Sequence, residues 1–331
     1  MKNKVNISRI AKDMGMSVST VSRALSGNGR VSEETRQEIL QYLGNKQLVP
    51  NTREKHYTDI TTNIIAVTVP EEGNFVFMPY FQHTFFSIYD FFSIRGIQVI
   101  PIKISANNIS YLKKAVEDHV MDGVILSRRV ENVEEINFLK EQGVPFVLIG
   151  DIDDSEIVQV SSDNEQATFD LISALIHKGH YKMAVMCAEK KQPINQKRMK
   201  GLLNAHAKNY MVLNQEFVFY DTDSEDIAEL ALEKILAADM DAIICMDDNI
   251  CLNVLKILQK RHIEIPQRIK VASLHNSPIL DAWNPPITCV NYDVDELGKE
   301  AARMLHTLLT EKRKLPRLVM GYEVQMKEST N

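Results

Sequence analysis

The chain has 331 residues, 44% hydrophobic and 25% charged, an ordinary globular balance with room for more than one domain. No run of about 18 apolar residues occurs, which excludes a spanning helix, and the polar opening MKNKVNISRI offers no apolar signal core, so a cytoplasmic protein with no membrane partner is expected. The net charge of −6 is unevenly spread: the first 60 residues carry 10 Lys or Arg against 6 Asp or Glu, and the rest 28 against 38, so a polyanion partner is expected at one end only.

Ile7, Ile10, Ala11 and Met14 repeat at i, i+3, i+4, i+7, a helical stripe. Gly15 ends that helix by tolerating positive φ, and Ser17 is a good N-cap for the next. In the second helix Val18, Val21 and Leu25 share one face; Ser19, Thr20, Ser22 and Arg23 fall on the others. Asn28 and Gly29 mark a turn. Ser32 can cap a third helix, with Glu33 and Glu34 in its first turn and Ile39, Leu40 and Leu43 on its apolar side. Three short helices with a tight turn between the first two make a helix-turn-helix module, whose second helix would enter a major groove. Short hydroxyls at Ser17, Ser19, Thr20 and Ser22 allow close approach and phosphate contact, and Arg23 can read a guanine bidentately. On periodicity alone, a three-helix piece of an unrelated helical domain stays open.

From Asn63 onward apolar strand runs alternate with helical stretches. The strand candidates are Ile64–Val69, Gln98–Ile102, Gly123–Leu126, Phe146–Ile149, Ile157–Val160, Met183–Cys187, Phe217–Tyr220, Ala242–Met246, Ile269–Leu274 and Ile287–Val290. The helical ones are Ser110–His119, Ala167–Lys178, Ser224–Ala238, Asn249–Arg261 and Glu296–Glu311. The pattern predicts parallel sheets covered on both faces, in two sets and hence two lobes, with ligands beyond the carboxyl ends of the strands. The fold class is α/β: a small all-α head, then two doubly wound parallel-sheet lobes. The four cysteines, Cys187, Cys245, Cys251 and Cys289, form no CxxC pair, so buried thiols and neither metal nor cofactor are expected. No GxGxxG or GxxxxGK[ST] follows a strand and no GxSxG or HExxH occurs, so no enzyme is expected.

The run Met16-Ser17-Val18-Ser19-Thr20-Val21-Ser22-Arg23-Ala24-Leu25-Ser26, then Val31-Ser32 and Thr35-Arg36, resembles the head of the lactose-repressor (LacI/GalR) family. The resemblance implies a regulator, of repressor type, that binds double-stranded DNA as a homodimer on a palindromic operator. It places base discrimination on Val18 and Ser19 with Arg23 beside them; Asn28, in the following turn, joins the candidate DNA-contacting set. It also implies a hinge helix after a Pro-Asn pair, here Pro50-Asn51, with alanine and leucine where this chain has Glu54 and Tyr57. Tyr57 can act as an apolar wedge in the minor groove, whereas Glu54 would be repelled by phosphate.

The body resembles the periplasmic sugar-binding fold that the family uses as its sensor, on Val69-Pro70, Pro79-Tyr80-Phe81, Asp122-Gly123, Asp163-Asn164, Gly179-His180, Arg198 with Gly201, Asp247-Asp248, Ile265-Pro266 and Pro286-Ile287-Thr288. This divides the chain into residues 1–50 (head), 51–62 (hinge or linker) and 63–331 (effector binding and dimerisation), with an N-lobe of about 63–161 and 292–320 and a C-lobe of about 162–291 and 321–331. The implied ligand is a small molecule of the sugar or sugar-derivative class. Its candidate contacts are Tyr80, Phe81, Ser127, Arg198, Asp221, Thr222, Asp248, His275 and Tyr292. Plainer roles stand beside these: Tyr80 and Phe81 as core packing, Arg198 as a solvated surface residue, Asp221 and Asp248 as helix caps. The chain departs from the family at His275, where an aspartate is usual, at Met78 in place of asparagine and at Ala167 in place of glycine. An imidazole cannot accept two strong hydrogen bonds as a carboxylate does. A regulator without an effector, and a transport-type binding protein, therefore stay open.

Overall fold

The computed structural model describes residues 7–26, 31, 32, 34, 35, 37–39, 42, 62–71 and 79–331, and the chain divides into two compact units, Met1–Thr58 and Asp59–Asn331.

In the first unit α1 spans Ile7–Asp13 and α2 spans Val18–Ser26. Gly15 takes φ +64°, and the Met16 N–H reaches back to the Ala11 carbonyl at 2.8 Å, closing α1. Nothing lies within 4 Å of where a Cβ would stand on Gly15, so the demand for glycine is conformational. Ser17 Oγ then accepts the Thr20 N–H at 3.0 Å and caps α2. Residues 34, 35, 37–39 and 42 are helical, and Ser32 Oγ accepts the Thr35 N–H at 3.2 Å at that helix's start. Ile10, Ala11, Val21, Ala24 and Ile39 form the core, edged by Met14, Met16, Val31 and Tyr42. Val18 is half exposed and lies outside it. Of the expected face of Val18, Val21 and Leu25, Val21 is in the core and Val18 is not, while Ala24 joins it; the side chain of Leu25 lies outside the described residues.

The second unit holds two six-stranded sheets. The first takes β1 (Ile64–Pro70), β2 (Gln98–Ile104), β3 (Gly123–Leu126), β4 (Phe146–Ile149), β5 (Gln159–Ser162) and β11 (Leu318–Met320), in the order β11-β5-β4-β3-β1-β2. The second takes β6 (Met183–Met186), β7 (Val218–Phe219), β8 (Ala242–Cys245), β9 (Lys270–Ser273), β10 (Thr288–Asn291) and β12 (Glu323–Gln325), in the order β12-β10-β9-β8-β6-β7. Every pairing is parallel except β10 with β12. The chain thus passes between the sheets three times: after β5, after β10 and after β11.

Strand periodicity explains why both faces need covering. In the second sheet Ala184, Met186, Ile243, Cys245 and Val271 join one core with residues of α8 (Glu225–Ala237) and α9 (Asp248–Lys260). The alternate residues Met183, Val185, Ala242, Ile244 and Ala272 join another with α6 (Asn164–His177) and α7 (Pro193–Lys208). In the first sheet Ile65, Val67, Ile125, Val147 and Ile149 pack with α3 (Pro79–Ser93) and α11 (Val294–Glu311), while the alternate Ala66, Val124, Leu126 and Leu148 are buried too. α4 (Ser110–Glu117), α5 (Glu134–Gln142) and the short α10 (Pro278–Asp281) complete the named helices. Two crossings end in an aspartate cap: Asp163 Oδ1 accepts the Gln166 N–H at 3.0 Å and Asp293 Oδ1 the Glu296 N–H at 2.8 Å. α7 presses on α6 so closely at Gly201 that a Cβ there would stand 2.1 Å from the Glu165 carbonyl oxygen.

Candidate functional site

Two regions collect the candidate residues. In the head, Ser17, Val18, Ser19 and Arg23 are exposed and Thr20 is half-buried. Ser17 Oγ shares hydrogen bonds with the Ser19 hydroxyl at 2.8 Å and the Thr20 hydroxyl at 2.7 Å, making a hydroxyl cluster at the positive end of α2. Burial of Val21 and Ala24 turns Val18, Ser19 and Arg23 outward. An exposed helix carrying a short apolar, a hydroxyl and a guanidinium has the chemistry of base and phosphate contact. Asn28 and Tyr57, with Glu54 and the Pro50-Asn51 pair, lie outside the described residues, as does the side chain of Ser22.

In the body, residues at or beyond the carboxyl ends of strands meet between the two sheets. Tyr80, at the start of α3, meets His275, just beyond β9, edge to face with ring centroids 5.6 Å apart. His275 stacks on Tyr292, which follows β10, at 5.8 Å and 21°. Phe81 stands edge-on to Tyr80 with ring centroids 5.1 Å apart. His275 Nδ1 stands 3.2 Å from Asp248 Oδ1, an ion-pair distance without hydrogen-bond alignment. Arg198, on α7, is buried and donates through Nη1 to the Met246 carbonyl at the end of β8.

Burial pushes the hydroxyls of both Tyr80 and Tyr292 up to about 12, against the pull of the nearby Arg198 guanidinium. Both are therefore neutral phenols at ordinary pH. The adjacent aspartates diverge. Asp247 spends Oδ1 on the Ile250 N–H at 2.8 Å, capping α9, and burial holds its carboxyl above the usual value although that N–H opposes the rise. For Asp248 burial also works upward, but the His275 imidazole outweighs it and holds the carboxyl below the usual value. The cap thus belongs to Asp247, which leaves Asp248 to face His275.

Ser127, Asp221 and Thr222 stand apart from this cluster. Ser127 is buried at the end of β3, its N–H on Thr68 Oγ1 at 2.9 Å and its hydroxyl without a partner. Thr222 is buried and donates Oγ1–H to the Cys187 carbonyl at 2.9 Å. Asp221 is exposed in a left-handed conformation at φ +58°. Ion pairs tie the two sheets' loops together: Lys197 on α7 meets Asp151 beyond β4, where Arg317 also arrives at 2.9 Å, and Lys191 meets Glu131 at 4.0 Å. Sequence reasoning missed Asp151 and Lys197, whose only signal was proximity to strand ends and to Arg198.

Two family models match. Residues 6–51 match "Bacterial regulatory proteins, lacI family", and residues 172–330 match "Periplasmic binding protein-like domain". The chain joins a lacI-family helix-turn-helix domain to a periplasmic-binding-protein-like domain. It is a DNA-binding transcription regulator with a helix-turn-helix head and a periplasmic-binding-protein-like body. Curated lacI-family relatives align along nearly the whole length. Catabolite control protein A of Priestia megaterium is 24% identical over 98% of this chain and 99% of its own, and the HTH-type transcriptional regulator CelR of Thermobifida fusca is 25% identical over 99% of each. Among solved structures, a CelR–cellobiose complex superposes with a TM-score of 0.72 at 23% identity, covering 98% of this chain and 100% of that one. Transcription regulator CcpA of Lactococcus lactis gives 0.71 at 25% identity, covering 82% and 100%. No described helix of the chain is long and apolar enough to cross a membrane.

Proposed function

We propose that this protein is a cytoplasmic repressor that binds a palindromic operator as a homodimer and is controlled by a small molecule of the sugar or sugar-derivative class held between its two lobes. It acts by binding, not turnover. In the head, Val18, Ser19 and Arg23 read bases, Ser17, Thr20 and Ser22 approach phosphates, and Asn28 and Tyr57 extend the contact. In the body, Tyr80, Arg198, Asp248, His275 and Tyr292 hold the effector, with Phe81 and Ser127 at its edge and Asp221 and Thr222 farther out. The cluster that joins Tyr80 of one lobe to His275 of the other carries this reading, because a ligand entering there changes the contact between lobes directly.

The operator is obtained by selection from random DNA, and a metabolite panel is then screened for release. The reading predicts a selected palindrome whose affinity falls steeply with salt and one class of compound that changes it, an effect lost on Arg198→Gln. A chain that selects a palindrome but responds to nothing is an effector-independent regulator. Failure to select any duplex at low salt contradicts the proposal.

A further inference from the structure

One carboxylate stands among cations from both lobes. β4 runs into Gly150, whose φ of +150° is a conformation that side chains rarely adopt, and Asp151 follows it. The Asp151 carboxylate meets the ammonium of Lys197 on α7, which packs on the second sheet, and Arg317 Nη2 at 2.9 Å, one residue before β11 of the first sheet. Arg129, beyond β3, donates Nη1 to the Asp151 carbonyl at 3.1 Å. The Asp151 side chain is 15% exposed against 40% for Lys197 and 44% for Arg317, so the anion is the most desolvated of the three. A cavity of about 300 Å³ beside it is lined by residues 162–166 and by Val319, at the first and third crossings between the sheets.

Cations outnumber the free carboxylates here. Lys200, one turn along α7, pairs with Glu165 of α6 at 3.0 Å, inside the second lobe, and Asp163 spends Oδ1 on the Gln166 N–H. Burial first, then Arg317, Lys200 and Arg129, pull the Lys197 ammonium below its usual value even with Asp151 in contact. Without the Asp151 charge, Lys197 of one lobe would meet Arg317 and Arg129 of the other with repulsion only. The outer contact of Lys191 with Glu131, at 4.0 Å between well-exposed side chains, is too weak to offset that.

We propose that Asp151 is the counter-ion that holds the two lobes in their observed arrangement, so that lobe separation in this chain is governed by charge at the crossings. The tie lies outside the cluster of Tyr80, His275 and Tyr292 and does not depend on what that cluster binds. Both cations are partly exposed, so salt reaches the contact: the screening length falls from about 10 Å at 0.1 M to about 3 Å at 1 M.

Spin labels on Glu117→Cys, at the end of α4, and Lys208→Cys, at the end of α7, report lobe separation in the full chain, one exposed site in each lobe. Labelled protein is diluted in unlabelled protein so that only distances within a chain are read, and the four native thiols are buried. Asp151→Asn keeps the side-chain shape and the carbonyl that Arg129 holds. It should raise the population at longer separation about fivefold at 0.1 M salt, and 1 M salt should bring wild type and variant together. Lys197→Met removes the tie and the repulsion at once and should give about a twofold rise. Lys200→Met, which breaks a pair inside the second lobe, should give none. Should Asp151→Asn not fold, Lys197→Met and the salt series decide in its place, and no shift in either overturns the proposal. Equal distributions in wild type, Asp151→Asn and Lys197→Met at 0.1 M salt would overturn it, as would a shift with Lys200→Met as large as with Asp151→Asn.

Discussion

The head and the cleft are built on opposite plans. The candidate contacts of the head, Val18, Ser19 and Arg23, are exposed, and a core centred on Ile10, Ala11, Val21, Ala24 and Ile39 carries the fold beneath them. The candidate contacts of the cleft, Arg198, His275 and Tyr292, are themselves buried. Side chains already in water can be exchanged with little effect on stability, so the head can vary what it reads while keeping its fold. Desolvated side chains couple recognition to stability, and the cleft cannot change one without the other.

Five substitutions sharpen or break that contrast. Val21→Asp should have the largest effect. It places a carboxylate at a position with 0% exposure in a small core, a change expected to cost about 3–5 kcal/mol, more than such a head can absorb. Operator binding by fluorescence anisotropy should fall by roughly hundredfold or more, with the body's calorimetric transition in place. Gly201→Ala tests the body. Its Cβ would stand 2.1 Å from the Glu165 carbonyl, so α7 must lift from α6 at about 1–3 kcal/mol or somewhat more, visible as a lower midpoint for the body alone.

Arg23→Ala should cost about 1–3 kcal/mol of discrimination, read as a flattened base preference in a repeated selection, with the unfolding midpoint unmoved. Ser17→Ala removes the α2 cap and should cost about 1 kcal/mol of head stability, measurable by hydrogen exchange within the head. The smallest effect concerns acid. Asp248 titrates below the usual value of 3.8 in the folded chain. Its contribution to stability is therefore present above that value and lost as pH falls through the folded pKa. Asp248→Asn should flatten this part of the acid limb in midpoints recorded from about pH 5 downward; an unchanged slope would mean that the His275 contact does not outweigh burial.

The same contrast governs what could be read from sequence. The head's turn and caps followed from Gly15, Ser17 and Ser32 because such signals act over a few residues. β3 and β4 coincide end to end with apolar runs, and α9 is nearly as clear, because continuous burial writes itself into composition. α3 escaped because its faces are mixed: Thr84 and Ser87 are inside beside Ile88 and Phe92, while Phe86 and Tyr89 are exposed, so aromatic residues on both sides blur the stripe. α7 escaped because the residues it buries include Asn195, Arg198 and His206, so no apolar stripe marks it. β11 and β12 have three residues each at sheet edges, too short for a periodic signal.

In the cleft, Tyr80, Arg198, Asp248, His275 and Tyr292 were all named from the sequence and its resemblance, and the structure brings them together. It leaves Ser127, Asp221 and Thr222 outside that cluster. The division of labour between Asp247 and Asp248 was not legible, because adjacent carboxylates at a strand end are equivalent until backbone geometry gives one of them the Ile250 N–H. Asp151 with Lys197 was equally hidden: the pair joins residues far apart in the chain, and neither local spacing nor periodicity records it.

The most direct test joins the two regions in one titration. Full-length protein is bound to its selected operator, and the small molecule found to act is added to wild type and to Tyr292→Phe, with anisotropy reporting the bound fraction. The account predicts a change in operator affinity that saturates in wild type and needs roughly tenfold more ligand in the variant. An identical response in both proteins would contradict it, because the controlling ligand would then be acting somewhere other than the cleft of Arg198, His275 and Tyr292.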